Sequence, residues 1–351
     1  MKGISLFSGM GGDTLGMENA GINVIAYNEI DKIFQKTHEL NFEDCCLIHN
    51  DTSSDITKIS DKEFEKYKNI DILFAGFPCQ GFSNAGKKKS NDPRNTLFKE
   101  FLRVAKITNP KYIIGENVKG LLNRKTDKDA FYIDIIKEEF EKIGYSIEYK
   151  VLKACNHGIP QKRERLIILG IKKSFKIAPK FPPEEKQNLN LKKIIKFDME
   201  GAIRVKKEDF DMSKLPEECV LTDLENQEDE NNVHPYLKLK VDSKNMTYKG
   251  KSYSNLLSFG KRGSPIHCEI IDIRSPSKTI ICTYDHQPRL FVPLRNKNGF
   301  YIRCILPNEL KQIQGFPANF EILGSKKQKI TQIGNAIPPL LVTKIVKSLM
   351  D

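Results

Sequence analysis

The sequence predicts an α/β protein, built as a doubly wound, Rossmann-like parallel sheet with a smaller, mostly β region attached. Three observations carry this prediction. Short apolar runs alternate with longer amphipathic segments through the first half of the 351 residues, and such alternation produces a mostly parallel sheet with helices on both faces. The first apolar run passes directly into a glycine-rich turn and then a helical pattern, "LFSGMGGDTLGMENAG", as strand–turn–helix units that hold nucleoside ligands do. After about residue 175 the alternation stops and short β-like runs are broken by Gly and Pro.

Taken in order, the strands are expected at "GISLF", "NVIAYN", "IDILFA", "YIIGE", "IEYKVL" and "RLIILGI". Between the third and fourth of these lies "DPRNTLFKEFLRVAKI", where Leu97, Phe98, Phe101, Leu102 and Ala105 share one helical face and Asp92 and Pro93 provide a helix start. "KIAPKFPPEEKQN" reads as a proline- and charge-rich linker and "DLENQEDENN" as a polar, mobile loop. In the second region "KTIICTY" and "RLFVPL" are the expected strands. The last 22 residues return to a helical pattern, after a Gly-Asn turn and a Pro pair. This divides the chain into a first unit, 1–185 completed by a helix at 328–351, and a second unit, 186–327.

Composition narrows the function classes. No apolar run approaches the ~20 residues of a membrane span, and "MKGISLFSGMGG" does not have the form of a secretory signal. Eight cysteines without regular spacing and without a C-x-x-C pair argue against a disulfide framework and against structural zinc. They point to a reducing, cytoplasmic setting, without a metal. The net charge is +12 and unevenly spread. Pro235 to Lys327 carries 16 Lys and Arg against 6 Asp and Glu, a local +10, whereas Leu191 to His234 has 7 against 12, a local −5. A basic segment suits a phosphate backbone, and equally a solvated lysine-rich surface.

Several residues fall where doubly wound sheets do their chemistry, beyond the carboxyl ends of the strands. The glycines of the first turn fit close approach of a ligand, or simply a tight turn. Glu29 ends the second strand 20 residues after Gly9, the spacing of an acid that holds ribose hydroxyls. Asp51 is expected to end a third short strand and to reach an adenine amino group. Cys79, in "GFPCQGFSN", follows the strand "IDILFA", and a thiol there needs a positive neighbour to act as a nucleophile. Arg163 and Arg165, in "QKRERLIILG", are expected to point the same way, and Glu116, in "GENVKG", ends a strand in the same layer. A carboxyl in such a cleft can stay protonated and donate to a ring nitrogen. Singly, each has a structural reading as buried thiol, capping acid or surface cation.

Together these residues resemble the cytosine-5 DNA methyltransferase family. "LFSGMGG", "NEIDK", "GFPCQGFSNAGK", "DPRNTLF", "ENVKGLL", "GIPQKRERLIILG", "LPNELKQIQGFPANF" and "QIGNAIPP" stand in the family's order, over about the first 170 and last 50 residues. The resemblance implies a methyltransferase domain at 1–185 with 328–351 and a target-recognition domain at 186–327. It implies S-adenosyl-L-methionine as methyl donor, bound by Phe7, Gly9, Gly11, Glu29, Asp51, Pro78, Leu97 and Asn335. It implies Cys79 as the nucleophile toward carbon-6 of cytosine, Glu116 at ring nitrogen 3 and the exocyclic amine, Arg165 at the carbonyl, and Arg163 as an orienting group. The target is a base flipped out of duplex DNA. Gln80, Ser83, Lys87, Lys88 and Lys89 are expected to meet the DNA from the loop after the cysteine, and Thr279 to pack against the recognition domain. Lys261, Arg262, Gln287 and Arg289 are candidate base readers, since Arg and Lys suit guanine and Gln suits adenine, but a phosphate contact or a surface position is the stronger reading of each, and Arg262 and Arg289 are expected among the DNA contacts. A monomer is expected, with a cognate restriction endonuclease as partner if the chain is half of a restriction system. A tRNA cytosine as substrate, or an inactive nucleic-acid-binding regulator, are the alternatives. An inactive regulator should have lost Cys79, Glu116 or the glycine turn, and all three are present.

Overall fold

The buried faces of the first-half strands split by alternation, and this split decides the layers. The computed structural model describes residues 1–78, 97–126, 129–207, 216–230, 246–248, 251–253, 269–286 and 288–351. Within them the chain runs β1 (Lys2–Leu6), α1 (Gly12–Glu18), β2 (Asn23–Asn28), α2 (Lys32–Asn41), β3 (Cys46–Leu47), α3 (Asp61–Glu65), β4 (Ile72–Ala75), α4 (Phe98–Thr108), β5 (Tyr112–Asn117), α5 (Tyr132–Lys142), β6 (Tyr145–Lys153) and β7 (Glu164–Lys172). These seven strands form one sheet in the order β3-β2-β1-β4-β5-β7-β6. The pairs from β3 to β5 are parallel, and β7 runs antiparallel to both β5 and β6. In β4, Ile72 and Phe74 face one apolar cluster while Leu73 and Ala75 face another. In β7, Ile167, Leu169 and Ile171 oppose Leu166 and Ile168 in the same way. Residues buried on both faces of a sheet are what covering helices require.

Helix α4 buries Phe98, Phe101, Leu102, Val104 and Ala105 against the second cluster, in agreement with its sequence periodicity. Its expected start at Asp92 and Pro93 lies outside the described residues.

The chain continues through β8 (Ile203–Val205), β9 (Leu221–Asp223), β10 (Met246–Tyr248), β11 (Lys251–Tyr253), β12 (Glu269–Ile270), β13 (Leu290–Asn296), β14 (Gly299–Cys304), α6 (Pro307–Ile313), α7 (Lys326–Asn335) and α8 (Pro339–Met350). Strands β12-β13-β14-β8 with β9 beside β13 make a second sheet, and β10 and β11 pair as a hairpin. The first apolar cluster runs without a break from Met17 and Phe74 to Phe291 and Tyr301.

Several expectations change. The C-terminal helix is two helices, and Gly334-Asn335 closes the first of them rather than opening the second. Pro338, ahead of Pro339, interrupts the helical ladder there. "KIAPKFPPEEKQN" is no free linker: Pro179 and Pro182 are buried, Glu185 pairs with Lys344 of α8, and Asn156 donates to Glu184 at 2.8 Å. The acidic stretch is tied down over its described part. Asn296 donates to the carbonyl of Glu228 at 2.7 Å, Tyr301 to Asp229 at 2.9 Å, and Asn298 to the carbonyl of Gln227 at 2.8 Å. "KTIICTY" forms no strand, because side chains take its backbone groups. Ile280 N–H donates to Gln161 Oε1 at 3.0 Å, and the carbonyls of Ile280 and Cys282 accept from Arg163 and Thr331.

The C-terminal helices close onto the amino-terminal half at glycines. Thr343 donates to the carbonyl of Gly16 at 3.0 Å, and a Cβ on Gly16 would stand 2.5 Å from Val342 Cβ. A Cβ on Gly334 would stand 2.3 Å from the backbone nitrogen of Cys282. Gly334→Ala is therefore expected to lose about 1–3 kcal/mol by overpacking against backbone that cannot yield. Gly21→Ala, with φ +87 but open space around it, should lose only the left-handed backbone cost of about 1–2 kcal/mol. Urea unfolding of both variants checks the pair. A neutral Gly334→Ala would show that the α7 contact is loose.

Candidate active site

The carboxyl ends of β1, β2, β4 and β5 lie along one edge of the sheet, and the candidate residues gather there. The turn after β1 is shaped by left-handed backbone at Phe7 (φ 56), Gly9 (φ 58) and Gly11 (φ 92). A Cβ on Gly11 would meet the Phe42 ring at 2.3 Å, so glycine there serves both conformation and packing. Ser8 N–H donates to the carbonyl of Asn28 at 3.0 Å, which seats the turn on the end of β2.

Glu29 follows β2 and grips the turn. Its Oε2 accepts from Gly9 N–H at 2.8 Å, and its Oε1 from the N–H groups of Ile30 and Asp31, each at 2.8 Å. The 20-residue spacing thus corresponds to a direct bond. Burial raises the Glu29 pKa and the three N–H donors lower it, with burial the larger effect. A carboxylate so held has one lone pair left, on Oε2, for a hydroxyl donor. Ile30, the next residue, is 63% exposed, an apolar side chain beside the turn that the sequence patterns did not single out. The available signal was an apolar residue inside the polar stretch "NEIDK".

Asp51 does not end a strand. β3 stops at Leu47, and Asp51 is an exposed bend residue four positions later. The segment that returns to β2 is Ser54-Asp55. The carbonyl of Ser54 accepts from Asn28 at 2.9 Å and its hydroxyl from Gln35 at 2.7 Å, while Asp55 caps the next turn through Thr57. The two acids were not distinguishable by spacing, because "NDTSSD" leaves the turn geometry open.

At the next strand ends, Gly76 N–H donates to the carbonyl of Leu6 at 3.2 Å, and Asn117 donates to the carbonyl of Phe77 at 3.1 Å. These bonds direct Phe77-Pro78 across the end of β5. A Cβ on Gly76 would lie 3.7 Å from both Glu116 Oε2 and the Phe7 carbonyl. Glu116 and Arg165 are paired, Nε to Oε1 at 2.7 Å, with both side chains 15% exposed. Cys79, Gln80, Ser83, Lys87, Lys88, Lys89, Lys261, Arg262 and Gln287 lie outside the described residues. The segment leading to Cys79 emerges beside this pair.

Arg163 and Arg165 do not point the same way. Arg163 precedes β7, is 1% exposed, and donates to the carbonyls of Ile280 at 3.2 Å and Gly334 at 3.1 Å. Burial works against its charge, as does Arg165, with Glu116 opposing. Only Arg165 faces the cleft acid, because Arg163 lies outside the strand whose alternation would have aligned them. Asn335 ends α7 and is exposed, one residue past Gly334. Leu97 caps α4 and is half-buried. Thr279 donates to the carbonyl of Lys162 at 3.5 Å, and Arg289 stands just before β13.

Several described cations of the basic segment are held in ion pairs. Arg274 pairs with Asp272 and Glu218, Arg295 with Glu217, Lys278 with Glu269, Arg303 with Glu309 and Lys326 with Glu200. Three of these partners, Glu200, Glu217 and Glu218, come from the acidic segment 191–234, so these described cations do not face solvent unpaired.

Against known proteins, a family model described as C-5 cytosine-specific DNA methylase matches residues 1–351. The Type II methyltransferase M1.HphI of Haemophilus parahaemolyticus is 31% identical over 363 residues, covering 99% of this chain and 86% of that protein. M.FnuDI of Fusobacterium nucleatum is 32% identical over 357 residues, covering 100% and 94%. Among solved structures, a DNMT2 variant from Spodoptera frugiperda superposes with a TM-score of 0.66 at 17% identity, over 100% of this chain and 99% of that one. A prophage-encoded putative DNA modification methyltransferase from E. coli gives 0.63 at 23%, over 100% and 98%. These two show the fold.

The pairing of Glu116 with Arg165 predicts coupled stability. Glu116→Gln and Arg165→Met are each expected to destabilise, and the double variant should lose about 1–3 kcal/mol less than the sum of the two. Urea unfolding of the four proteins measures this, and additive losses would mean the two groups act independently.

Proposed function

The chain belongs to the C-5 cytosine-specific DNA methylase family and is a DNA cytosine-5-methyltransferase, and from that premise we propose that it methylates a cytosine flipped out of duplex DNA, through a covalent adduct with Cys79. One observation carries the reading. The Glu116–Arg165 pair stands at the carboxyl end of β5 beside Gly76, three residues before Cys79.

The residues around the glycine turn fit S-adenosyl-L-methionine. Glu29 holds Gly9 with Oε2, which keeps one lone pair for a ribose hydroxyl, and Ile30 offers an exposed apolar side chain beside it. Phe7, Gly9 and Gly11 hold the turn open by left-handed backbone, and Pro78, Leu97 and Asn335 complete the proposed set. For the adenine edge the proposed set holds Asp51 and the neighbouring Ser54-Asp55, where Ser54 is tied to Asn28 and Gln35 at the end of β2. The cofactor supplies an electrophilic methyl group when bound.

The chain's own residues then act on the base. Cys79 adds as thiolate to carbon-6, forming a sulfur–carbon bond and moving ring electrons toward carbon-5. Glu116, held through Oε1 by Arg165, binds ring nitrogen 3 and the exocyclic amine, and Arg165 holds the carbonyl oxygen, where charge develops. Loss of the carbon-5 proton and breaking of the sulfur–carbon bond return the thiolate. Arg163 orients this edge from behind rather than by contact. Residues 186–327 read the target, with Thr279 and Arg289 on the DNA side. Gln80, Ser83, Lys87, Lys88, Lys89 and Arg262 join them in the proposed contact set.

Cys79→Ser should abolish methyl transfer while keeping cofactor affinity, because a hydroxyl is a far weaker nucleophile at neutral pH. Duplex DNA carrying 5-fluorocytosine should remain joined to the wild-type protein after denaturation, since fluorine cannot leave as a proton does. Near wild-type turnover by the serine variant, or methylation of tRNA in preference to duplex DNA, would overturn the assignment. Glu29→Ala should weaken S-adenosyl-L-methionine by about 1–3 kcal/mol, the worth of a charge-assisted hydrogen bond. Calorimetry reads this directly, and an unchanged dissociation constant removes Glu29 from the site.

A further inference from the structure

Beneath the glycine turn runs a buried row of polar side chains that the reaction above does not use. Asp13, in the first turn of α1, is 2% exposed, and Ser5, Thr14 and His38 are fully buried. Asp13 accepts from the Ser5 hydroxyl at Oδ2 and from Ser8 at Oδ1, the latter at 3.2 Å. Ser8 and Thr14 hydroxyls are 3.3 Å apart, and Thr14 Oγ1 is 2.9 Å from His38 Nε2. The row therefore crosses from α2, under the turn, to β1.

Its direction follows from one orphan atom. His38 Nδ1 is buried without a hydrogen-bond partner. A proton there would be a stranded donor, which is rarer in folded proteins than a bare acceptor. The proton thus sits on Nε2 and donates to Thr14, Thr14 donates to Ser8, and Ser8 donates to Asp13. Both hydroxyl donors at the far end converge on the carboxylate, which receives them fully only when ionised.

Ser8 links this row to the cleft. It lies between Phe7 and Gly9, both left-handed. Its own N–H is on Asn28, and the next N–H, of Gly9, is on Glu29. We propose that Asp13 is a positioning residue which, through Ser8, holds the Phe7–Gly9 turn against Glu29, so that the Asp13 carboxylate is the form of the protein that grips the nucleoside cofactor. This rests on the cofactor reading above.

The chemistry of the site supports the assignment. Burial pushes Asp13 up from 3.8 to about 6, with Ser5 and Ser8 pulling it down. The folded protein therefore takes up this proton more readily than the unfolded chain. Stability from Asp13 is full below about 3.8, falls as pH rises through about 6, and stays lower above it. A carboxylate kept where it costs stability at neutral pH is what a functional constraint produces. Of the other groups around it, burial pushes His38 down to about 3 and the Cys45 thiol upward, so neither changes charge near neutrality. Glu18, on the same helix, is raised by burial and Asp44, and Glu29 is raised by burial. Any pH response from those two persists when Asp13 is replaced, which separates them.

Asp13→Asn imitates the protonated acid, with one acceptor and one donor. The test is calorimetric titration of the full chain with S-adenosyl-L-homocysteine between about pH 5 and about pH 7.5, alongside urea unfolding, for wild type, Asp13→Asn, Ser8→Ala and Glu29→Ala. Wild-type affinity should drop about three- to ten-fold as pH falls through the Asp13 transition, the worth of one hydrogen bond. Asp13→Asn should be weaker by that factor at neutral pH and show no such step, yet be at least as stable as wild type. Ser8→Ala should also lose the step, and it keeps the test valid if Asp13→Asn folds poorly. The same step in both variants as in wild type overturns the proposal alone, provided wild type binds and Glu29→Ala weakens it. A wild type that binds at no pH overturns the cofactor reading and this inference with it.

Discussion

A single buried guanidinium joins the parts of this protein that must meet for a site to exist. Arg163 has almost no solvent contact, and its two terminal nitrogens donate to the carbonyls of Ile280 and Gly334. Its own carbonyl accepts from Ala154 N–H at 2.8 Å. A cation removed from water is tolerated only where fixed acceptors replace its hydration, so the strap at 277–284 and the end of α7 are held against the start of β7. Gln161 reinforces the junction, bonding Gln314 at 2.6 Å and the N–H of Ile280 at 3.0 Å. Gly334 lets the helix approach the strap's backbone, and Arg165, two residues beyond Arg163, is left to face Glu116.

The reversed strand explains why that encounter is possible. In a parallel sheet every strand delivers its carboxyl end to the same edge, and β1, β2, β4 and β5 do so with Phe7, Glu29, Gly76 and Glu116. An arginine on a further parallel strand of this kind would reach that edge only from its last residues. β7 is antiparallel, with Glu116 opposite Ile167 and Asn117 opposite Leu166, so its first residues lie at that same edge. The cation and the carboxylate thus come from opposite ends of neighbouring strands.

Charge in the second region is organised by folding rather than by composition. Glu200, Glu217 and Glu218, from the acidic stretch, lie against Lys326, Arg295 and Arg274 from the basic one. Arg303 is buried in a bidentate pair with Glu309, and it also donates to the carbonyls of Asp198 and Lys196. Exposed pairs of this type add little stability individually. Their effect here is to lower the positive field of the described part of this region.

The alternation of apolar runs with helical faces determined the six longer strands of the first sheet and the face of α4 that is buried, because side-chain periodicity is a local property of the chain, but it misplaced the short β3. The motifs determined the family, whereas the bond from Gly9 to Glu29 is a feature of the folded turn that their spacing alone did not state. What only the tertiary structure decided depends on partners distant in sequence. "KTIICTY" has the residues of a strand, but Gln161, Arg163 and Thr331 occupy its backbone groups. Asp51 and Asp55 look alike in "NDTSSD", and only the bonds from Asn28 and Gln35 to Ser54 choose the segment that reaches β2. Arg163 and Arg165 share a motif and yet take opposite tasks, since one meets carbonyls supplied more than a hundred residues away and the other meets a carboxylate on the adjacent strand. Local patterns fix what a segment can be, and long-range acceptors and donors fix which of its groups are free to act.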